Sequence, residues 1–404
     1  MKILFAADVS IARVGSGAER VLYEQTTRLA AAGHDVHLIT PWMSDIHKKE
    51  VEEISGVTEW RYPGDKRYPV RFVAGTFKNA GCLFQQLNQD LRFDSLFFHQ
   101  PLTACAVMSS AKKSTAKKLY TCHSLWHEEY LSRTMMASGF SRRFAVMVQA
   151  LIRKKMEKRV LKDSDRIIVL SAYTEEKLLR CHGLPSDAIS IVPGGVDLTL
   201  FSPDGDQQTI RKRLGLPVNR IVLFTLRNLE PRMGLAELLN AIKEVIQQLP
   251  EVCLVIGGEG PLRKGLIEQV ERTGLNSHVF FTGFIDESDL PDYYRMADLF
   301  ILPTRALEGF GLVTLEAMAS GTPVLGTPVG GTREILNAFD GGFLFEDISA
   351  ESMARLIKQE CKRLLKDPVA AKLLRQKVRT FVEANYSWER HVNALMALVG
   401  DLNG

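Results

Sequence analysis

The stretch LFILPTRALEGFGLVTLEAMASGTPVLGTPVGG, residues 299–331, decides the fold class. It begins with a short apolar run and passes through a glycine-rich loop. A helical pattern follows, which stops before Gly321 and Pro323 ahead of a second apolar run. A strand, a helix and a strand in this order predict two parallel strands joined by a crossover helix. We therefore expect an α/β protein.

The same alternation extends outward from this stretch in both directions. Apolar runs without polar alternation are typical of strands buried on both faces of a parallel sheet. They occur in the first half at 2–6, 36–40, 70–73, 95–99, 118–121 and 166–171, and in the second half at 221–226, 252–257, 279–282, 299–303, 323–326 and 342–345. The pattern predicts two doubly wound, Rossmann-like sheets.

Proline and glycine residues at 191–203 interrupt the alternation between the two halves. We expect one domain over residues 1–195 and a second over residues 196–384. Residues 385–404 follow as a last helix, and its pattern does not show which domain it packs against.

Length and composition fit a globular enzyme. The chain has 404 residues, 46% hydrophobic and 24% charged, which excludes a single small module and a disordered chain. The net charge of +4 is too small to indicate a nucleic-acid partner. No apolar run reaches membrane-spanning length, and the first ten residues resemble a strand rather than a leader peptide. Six scattered cysteines without a C-x-x-C pair indicate a reducing compartment, so we expect a cytoplasmic enzyme.

Glycines follow the first predicted strand and open a helix. Gly15 and Gly17 would let backbone N–H groups approach a phosphate at the positive end of the helix. A plain tight turn is the alternative, because neither the full dinucleotide pattern nor a Walker loop is present.

Two arginines lie five residues apart in the loop after residues 221–226. Arg227 and Arg232 follow the end of a strand, where ligands bind in open α/β sheets, and such a pair can clamp a diphosphate. A solvated charged turn is the alternative.

Two glutamates bracket the start of the helix predicted after residues 299–303. Glu308 lies in the loop, and Glu316 lies more than one turn into the helix. Their carboxylates can accept hydrogen bonds from sugar hydroxyls, and the free N–H groups between them can donate to phosphate. Two unrelated surface glutamates are the alternative.

The segment EGFGLVTLEAMASGTPVLGTPVGG, residues 308–331, resembles the Glu-x7-Glu signature of the retaining, nucleotide-sugar-dependent family 4 glycosyltransferases. Further motifs agree in order, and the resemblance covers nearly the whole chain: SGAERV, GHDVHLIT, IVPGGVDLTLFSP, VIGGEGP and FFTGFID. It implies a GT-B fold, in which two Rossmann-like domains face a deep cleft and the last helix returns to the first domain. It also implies transfer from a nucleotide sugar, such as a UDP-sugar, with no cofactor and no essential metal.

The resemblance implies roles for individual residues. Glu308 would hold the donor sugar and Glu316 the ribose hydroxyls, while Arg227 and Arg232 would neutralise the diphosphate. Asn228 and Met233 stand where the family commonly has Arg and Lys, so the basic pair is shifted by one position. His123 matches a histidine near the reacting centre. The other implied donor-binding positions are Gly17, Gly258, Phe284, Ile285, Gly309, Phe310, Gly311, Leu312 and Val313.

Histidines and paired aspartates leave alternatives open. His123 follows a predicted strand, and as a neutral ring it could donate to a sugar or a phosphate. With His127 and Glu128 it could instead ligate a metal, although no third His or Cys is placed by spacing. His99 either lines the site or is a satisfied buried histidine. The D-x-D sequences at 163–165 and 204–206 lie at positions that argue against a metal site.

Residues 141–162 combine apolar residues at helical spacing with eight Lys or Arg. Such a helix either lies on an anionic membrane or packs its apolar side on the core with a solvated basic side. Four lysines at 112, 113, 117 and 118 increase the positive charge of the same half, which favours an anionic or lipid-linked acceptor.

These observations favour a glycosyltransferase that acts on a carbohydrate or lipid-linked acceptor, at the inner face of the membrane if residues 141–162 bind there. Two alternatives belong to other classes. One is a nucleotide-sugar epimerase on a related fold, and the other is a non-catalytic nucleotide-sugar binding protein.

Overall fold

The computed structural model describes residues 1–43, 49–64, 69–134 and 140–403. The chain folds as two compact units. The first unit comprises Met1–Gly194 together with Trp388–Gly404, and the second unit comprises Gly195–Ser387.

The first unit is built on an eight-stranded sheet with the strand order β3-β4-β2-β1-β5-β6-β7-β8. Its strands pair in parallel, except that β3 and β4 form an antiparallel hairpin. Its elements are β1 (Lys2–Ala6), α1 (Gly17–Ala31), β2 (Asp35–Pro41), β3 (Val51–Ile54), β4 (Val57–Tyr62), α2 (Pro69–Leu91), β5 (Ser95–His99), α3 (Pro101–Ser110), β6 (Lys117–Cys122), α4 (Trp126–Thr134), α5 (Phe140–Lys162), β7 (Arg166–Val169), α6 (Ala172–His182) and β8 (Ile189–Ile191).

The second unit is built on a five-stranded parallel sheet with the order β11-β10-β9-β12-β13. Its elements are α7 (Gln207–Arg213), β9 (Ile221–Leu226), α8 (Leu235–Gln248), β10 (Val252–Gly257), α9 (Arg263–Thr273), β11 (Val279–Gly283), α10 (Leu290–Met296), β12 (Leu299–Leu302), α11 (Leu312–Ala319), β13 (Val324–Gly326), α12 (Gly330–Asp340), α13 (Ala350–Lys366) and α14 (Pro368–Asn385). The last helix of the chain, α15 (Trp388–Asn403), belongs to the first unit.

The core of the first unit lies on both faces of its sheet. Successive side chains of a strand point to opposite faces, so Ile3 and Phe5 enter one buried cluster and Leu4 enters the other. The cluster that contains Phe5 also includes Leu395 and Val399 of α15. The last helix therefore completes one face of the core of the first unit.

The predicted α/β class with two Rossmann-like sheets is confirmed, whereas two predicted strands are wrong. Residues 70–73 lie in α2, because a segment of four residues with three apolar side chains does not distinguish a strand from one face of a long helix. Residues 342–345 form the end of a 3-10 turn and a single bridge between Gly326 and Leu344. The β3–β4 hairpin was not predicted; Ser55 and Gly56 form its turn, with φ of 49° and 81°.

Candidate functional site

The strand order of the second sheet identifies where a ligand would bind. From β9 the chain adds β10 and β11 on one side and then crosses to add β12 and β13 on the other. In open α/β sheets, ligands bind beyond the carboxyl ends of the strands at such a reversal. The two loops at this point are residues 227–234 after β9 and residues 303–311 after β12, and they contain Arg227, Arg232 and Glu308.

Arg227 and Glu308 form an ion pair between these two loops. The Nη2 atom of Arg227 donates to a carboxylate oxygen of Glu308. It also donates to Thr304 Oγ1, and this second contact is 2.7 Å long. Thr304 Oγ1 in turn lies 3.2 Å from a carboxylate oxygen of Glu308, to which it donates. Arg227 is only 9% exposed, and its Nε is buried without a hydrogen-bond partner. A buried, incompletely paired cation at this position is typical of a functional site.

Arg232 contacts the backbone of the loop after β12. One guanidinium nitrogen lies 3.2 Å from the carbonyl oxygen of Leu307, and Nε lies 3.3 Å from a carboxylate oxygen of Glu230. Leu307 has a φ of 61°, a left-handed conformation that is unusual for a residue with a Cβ. Strain of this kind, next to Glu308, is a feature that binding loops retain when their neighbours hold them in place.

Glycines allow the loop backbones to pack without side chains between them. A Cβ on Gly258 would lie 2.0 Å from the carbonyl oxygen of Arg227, and one on Gly330 would lie 2.0 Å from that of Glu308. Both residues also have positive φ, at 113° and 64°. The predicted site position Gly258 therefore has a clear packing role beneath Arg227.

Glu316 lies on α11, and a buried tyrosine donates a hydrogen bond to its carboxylate. Gly311 precedes the helix in a left-handed conformation, with a φ of 94°, and the first N–H groups of α11 follow it. Glu316 is 9% exposed and accepts a hydrogen bond from the Tyr294 hydroxyl at 2.7 Å. Tyr294 is fully buried among aromatic rings, so it fixes the carboxylate in one direction.

The other predicted donor positions of the second unit differ in exposure. Phe284, in the loop after β11, is 55% exposed, and Ile285 beside it is partly buried. Phe310 is buried, with its ring centroid 6.2 Å from that of Tyr386. Of these side chains, only the Phe284 ring is broadly open to solvent. Gly309 and Val313 are partly exposed, whereas Gly311 and Leu312 are buried.

The predicted glycine loop of the first unit, between β1 and α1, is hydrogen-bonded by its own side chains. Ser16 Oγ accepts from the Glu19 N–H at 3.4 Å, and the Glu19 carboxylate accepts from the Gly15 N–H at 2.6 Å. The hydrogen bond to Ser16 caps the amino end of α1, which stabilises the start of the helix. Gly17 is exposed at the first position of α1.

His123 is the end of a buried chain of hydrogen bonds in the first unit. His391 Nδ1 lies 2.8 Å from the carbonyl oxygen of Pro193, and His391 Nε2 lies 2.8 Å from Gln25 Nε2. Gln25 Oε1 is 2.9 Å from His99 Nε2, and His99 Nδ1 is 3.0 Å from His123 Nε2. His99 is fully buried with both nitrogens paired, so it is a satisfied buried histidine.

The direction of this chain follows from the backbone carbonyl at its start. Burial lowers the pKa of His391 to about 4, so the ring is neutral, and Nδ1 must carry the proton that the Pro193 oxygen accepts. His391 Nε2 then accepts from Gln25, Gln25 accepts from His99, and His99 Nδ1 accepts from His123.

The chain therefore fixes the tautomer of His123. Burial, and to a lesser degree the charge of a protonated His391, lower the pKa of His123 to about 4. The neutral ring donates through Nε2, and the lone pair on Nδ1 remains. Because His123 is partly exposed, it can accept a hydrogen bond from a ligand hydroxyl, whereas the sequence had suggested that it donates.

Metal ligation by His123 and His127 on one helix face was the alternative to donor binding. His123 precedes α4, and only His127 lies on it, so the two do not share a helix face. His127 Nδ1 and His182 Nε2 each lie 3.0 Å from the same Glu157 oxygen. Burial raises the pKa of Glu157, but hydrogen bonds from both rings and from the Trp126 N–H outweigh it and lower the pKa below its ordinary value.

The two D-x-D sequences have structural roles in the described chain. Asp165 accepts from the Lys118 N–H at 2.7 Å and joins β6 to the turn before β7. Asp206 accepts from the Thr209 N–H at 2.8 Å and caps α7.

Four functional candidates were absent from the sequence interpretation. Thr304 follows a strand end and could have been found from its position, whereas Tyr294, Gln25 and His391 are distant in sequence from the residues they contact. Only the folded chain brings them together.

Comparisons with known proteins agree with this geometry. The family model "Glycosyltransferase Family 4" matches residues 15–200, and "Glycosyl transferases group 1" matches residues 206–386. Two Rossmann-like α/β units are the architecture of the two-domain GT-B glycosyltransferases, whose solved structures share this fold. The chain belongs to the family 4, group 1 glycosyltransferases.

Curated relatives share part of the chain. A GDP-mannose-dependent alpha-(1-6)-phosphatidylinositol monomannoside mannosyltransferase of Mycolicibacterium smegmatis is 32% identical over 238 residues, 57% of this chain and 61% of the relative. A D-inositol 3-phosphate glycosyltransferase 1 of Catenulispora acidiphila is 32% identical over 252 residues, 60% of this chain and 58% of the relative. The chain thus matches about three fifths of the length of these relatives.

Solved structures show the same fold over the whole chain. Sucrose-phosphate synthase from Thermosynechococcus elongatus has a TM-score of 0.80 at 23% identity, covering 100% of this chain and 99% of its own. HepE from Anabaena, in complex with UDP and glucose, has a TM-score of 0.77 at 17% identity, covering 99% and 100%.

Proposed function

We propose that the protein is a retaining glycosyltransferase that moves a sugar from a nucleoside diphosphate sugar to a hydroxyl of a carbohydrate or lipid-linked acceptor. The observation that carries the proposal is the cluster of Arg227, Thr304 and Glu308, which lies where the strand order of the second sheet reverses. The family membership supports the same reaction class.

The second unit would bind the donor. Arg232 and the first N–H groups of α11 would offer positive charge to the diphosphate, and Glu316 would accept from the ribose hydroxyls. Arg227 would hold Glu308 toward the donor sugar and add its own charge. Preorganised charge of this kind stabilises the leaving diphosphate, so the reaction needs no metal ion and no cofactor.

His123 would act in the first unit on a hydroxyl group. Its Nδ1 lone pair suits a substrate O–H donor, and the rest of the chain to His391 would keep the ring in that tautomer. Gln25, His99 and His391 would be positioning residues in this scheme.

The relatives suggest the chemistry of both substrates. One is named for GDP-mannose and a phosphatidylinositol mannoside, and another for inositol 3-phosphate. A structural neighbour was solved with UDP and glucose. We therefore propose a GDP-sugar or UDP-sugar as donor and a lipid-linked or phosphorylated polyol acceptor, used at the cytoplasmic face of the membrane.

Slow donor hydrolysis tests the reaction without knowledge of the acceptor. GDP-mannose and UDP-glucose are incubated separately with the protein in EDTA, and proton NMR follows the released sugar before it mutarotates. We expect one donor to release its sugar as the α-anomer, because water replaces the acceptor on the retained face. Release of the β-anomer would contradict retention, a rearranged sugar would indicate an epimerase, and binding of the donor without turnover would indicate a non-catalytic binding protein.

A further inference from the structure

Helix α5 presents an apolar stripe to solvent. Its five members recur at helical spacing, so they lie on one side of the first half of the helix. Their exposed fractions run from 38% to 65%, in the set Phe144, Met147, Val148, Leu151 and Ile152. The sequence had left open that this side packs on the core, and in this part of α5 it does not.

The same side of α5 becomes basic in the second half of the helix. Four exposed cations continue the spacing of the stripe without a break: Lys155, Lys158, Arg159 and Lys162. The opposite side packs inward through Ala150, Val160 and Leu161. Glu157, the one acidic residue of α5, is also buried there, paired with His127 and His182. The exposed line is therefore apolar over two turns and then positively charged over two turns.

The direction of α5 places the stripe at a particular edge of the first sheet. The helix ends at Lys162, shortly before β7 begins at Arg166, so its carboxyl end lies where the strands begin. Its amino-terminal half therefore extends toward the edge where the strands end. His99 and His123 lie at that edge, one as the last residue of β5 and the other directly after β6.

We infer that this surface docks on an anionic lipid bilayer. A bilayer supplies both partners that the line requires, since its hydrocarbon boundary accepts the apolar residues and its anionic headgroups attract the cations. A second copy that docked through the same line of α5 would cover the apolar residues but would bring no carboxylate to the four cations, because the one acidic residue of α5 is buried. Among the described residues, no helix combines the length and the apolar character that crossing a bilayer requires.

This inference rests on the proposed function, because the lipid-linked acceptor comes from that proposal. It adds the surface through which the protein would reach such an acceptor. A bilayer against the stripe would lie at the edge of the sheet that carries His123, so an acceptor headgroup would be presented there without leaving the membrane.

Vesicle flotation of the purified full chain tests the docking surface directly. The probes are phosphatidylcholine vesicles with and without phosphatidylglycerol, and no nucleotide is present. We expect the wild type to float with the anionic vesicles only, and less at high salt. The variant Met147→Glu/Leu151→Glu and the variant Lys155→Glu/Lys158→Glu should each partition at least about tenfold less, a free energy of about 1.4 kcal/mol.

A matched control lies on α14 in the second unit. Leu373 is 51% exposed and Lys377 is also exposed, so Leu373→Glu/Lys377→Glu makes the same kinds of change at a comparable surface. It should float like the wild type. Circular dichroism confirms that all variants are folded, and the two α5 variants test the surface independently of each other.

Three results would overturn the inference: no flotation of the wild type, flotation of both α5 variants at the wild-type level, or an equal loss in the control. Sedimentation velocity could give a fourth such result. If the wild type is a dimer and the Met147→Glu/Leu151→Glu variant is a monomer, a second copy of the chain covers the stripe. Because flotation needs neither donor nor turnover, its failure leaves the proposed reaction intact, and donor hydrolysis tests that reaction separately.

Discussion

At the scale of single residues, the pairing of Arg227 with Glu308 changes what each can do. A buried guanidinium that already neutralises a carboxylate is less available to a diphosphate than a free one, so Arg227 acts mainly by orienting Glu308. Arg232 is also paired with a carboxylate, that of Glu230, but this contact is longer, at 3.3 Å, so we expect Arg232 to exchange it for the diphosphate more readily. The two arginines of the shifted basic pair therefore have different tasks.

A double-mutant cycle measures this pairing. Arg227→Ala and Glu308→Ala should each lower donor kcat/KM by about ten- to a hundredfold, since a hydrogen bond to a charged group contributes about 1.5–3 kcal/mol. Because each removes the partner of the other, the double variant should lose clearly less than the product of the two effects. Arg305→Ala is the control, because Arg305 is an exposed arginine that pairs with the carboxylate of Glu237. Strictly multiplicative losses would show that the pair does not act as a unit.

Tyr294 is expected to act on nucleotide affinity through Glu316. Tyr294→Phe keeps the packed ring and removes the hydroxyl that fixes the carboxylate. We expect the nucleotide Kd to rise several-fold, in line with about 1 kcal/mol for one hydrogen bond, with little change in kcat. Tyr293→Phe changes the neighbouring, less buried ring and serves as the control. Unchanged affinity in Tyr294→Phe would show that Glu316 does not need this contact.

At the scale of elements, one hydrogen-bond chain connects α15 and α1 to the histidines at the carboxyl ends of β5 and β6. Gln25→Leu breaks the chain between His391 and His99. Nitrogen-15 NMR should then show His123 as a mixture of tautomers instead of the Nε2–H form, and kcat should fall several-fold with little change in donor KM. A wild-type protein with the proton on His123 Nδ1 would contradict the direction derived from Pro193.

The sequence predicts the elements better than their contacts. Continuous apolar runs identified most central strands, because parallel strands are buried on both faces, and the glycine-flanked loop identified Glu308 and Glu316. Leu307, in its left-handed conformation, is contacted by a residue 75 positions away, and Arg227 and His123 have partners 77 and 24 positions away. No local spacing encodes such pairs, so the sequence predicts candidate site residues but not the order of their hydrogen bonds.

At the scale of the whole molecule, the buried neutral histidines make stability depend on pH. The folded-state pKa of His391, about 4, lies below its ordinary value of 6.5, so the unfolded chain binds the proton more readily. Stability is full above pH 6.5 and is lost as the pH falls toward 4. For His391 alone the loss between pH 7 and pH 5 is about 2 kcal/mol.

Urea unfolding at several pH values checks this sign. His391→Gln should be less stable at pH 7 but should lose about 2 kcal/mol less than the wild type on going to pH 5, because the titrating group is absent. An equally steep pH dependence in the variant would mean that His391 is not held neutral by the fold.

The central claim is that the loops after β9 and β12 bind a nucleoside diphosphate without a metal ion. Calorimetric titration of GDP and UDP in EDTA, into the wild type and into Glu316→Ala, tests it most directly. We predict that at least one nucleotide binds the wild type and that Glu316→Ala weakens it about tenfold, equal to 1.4 kcal/mol. Failure of both nucleotides to bind the wild type in EDTA, or equal affinity in Glu316→Ala, would contradict it.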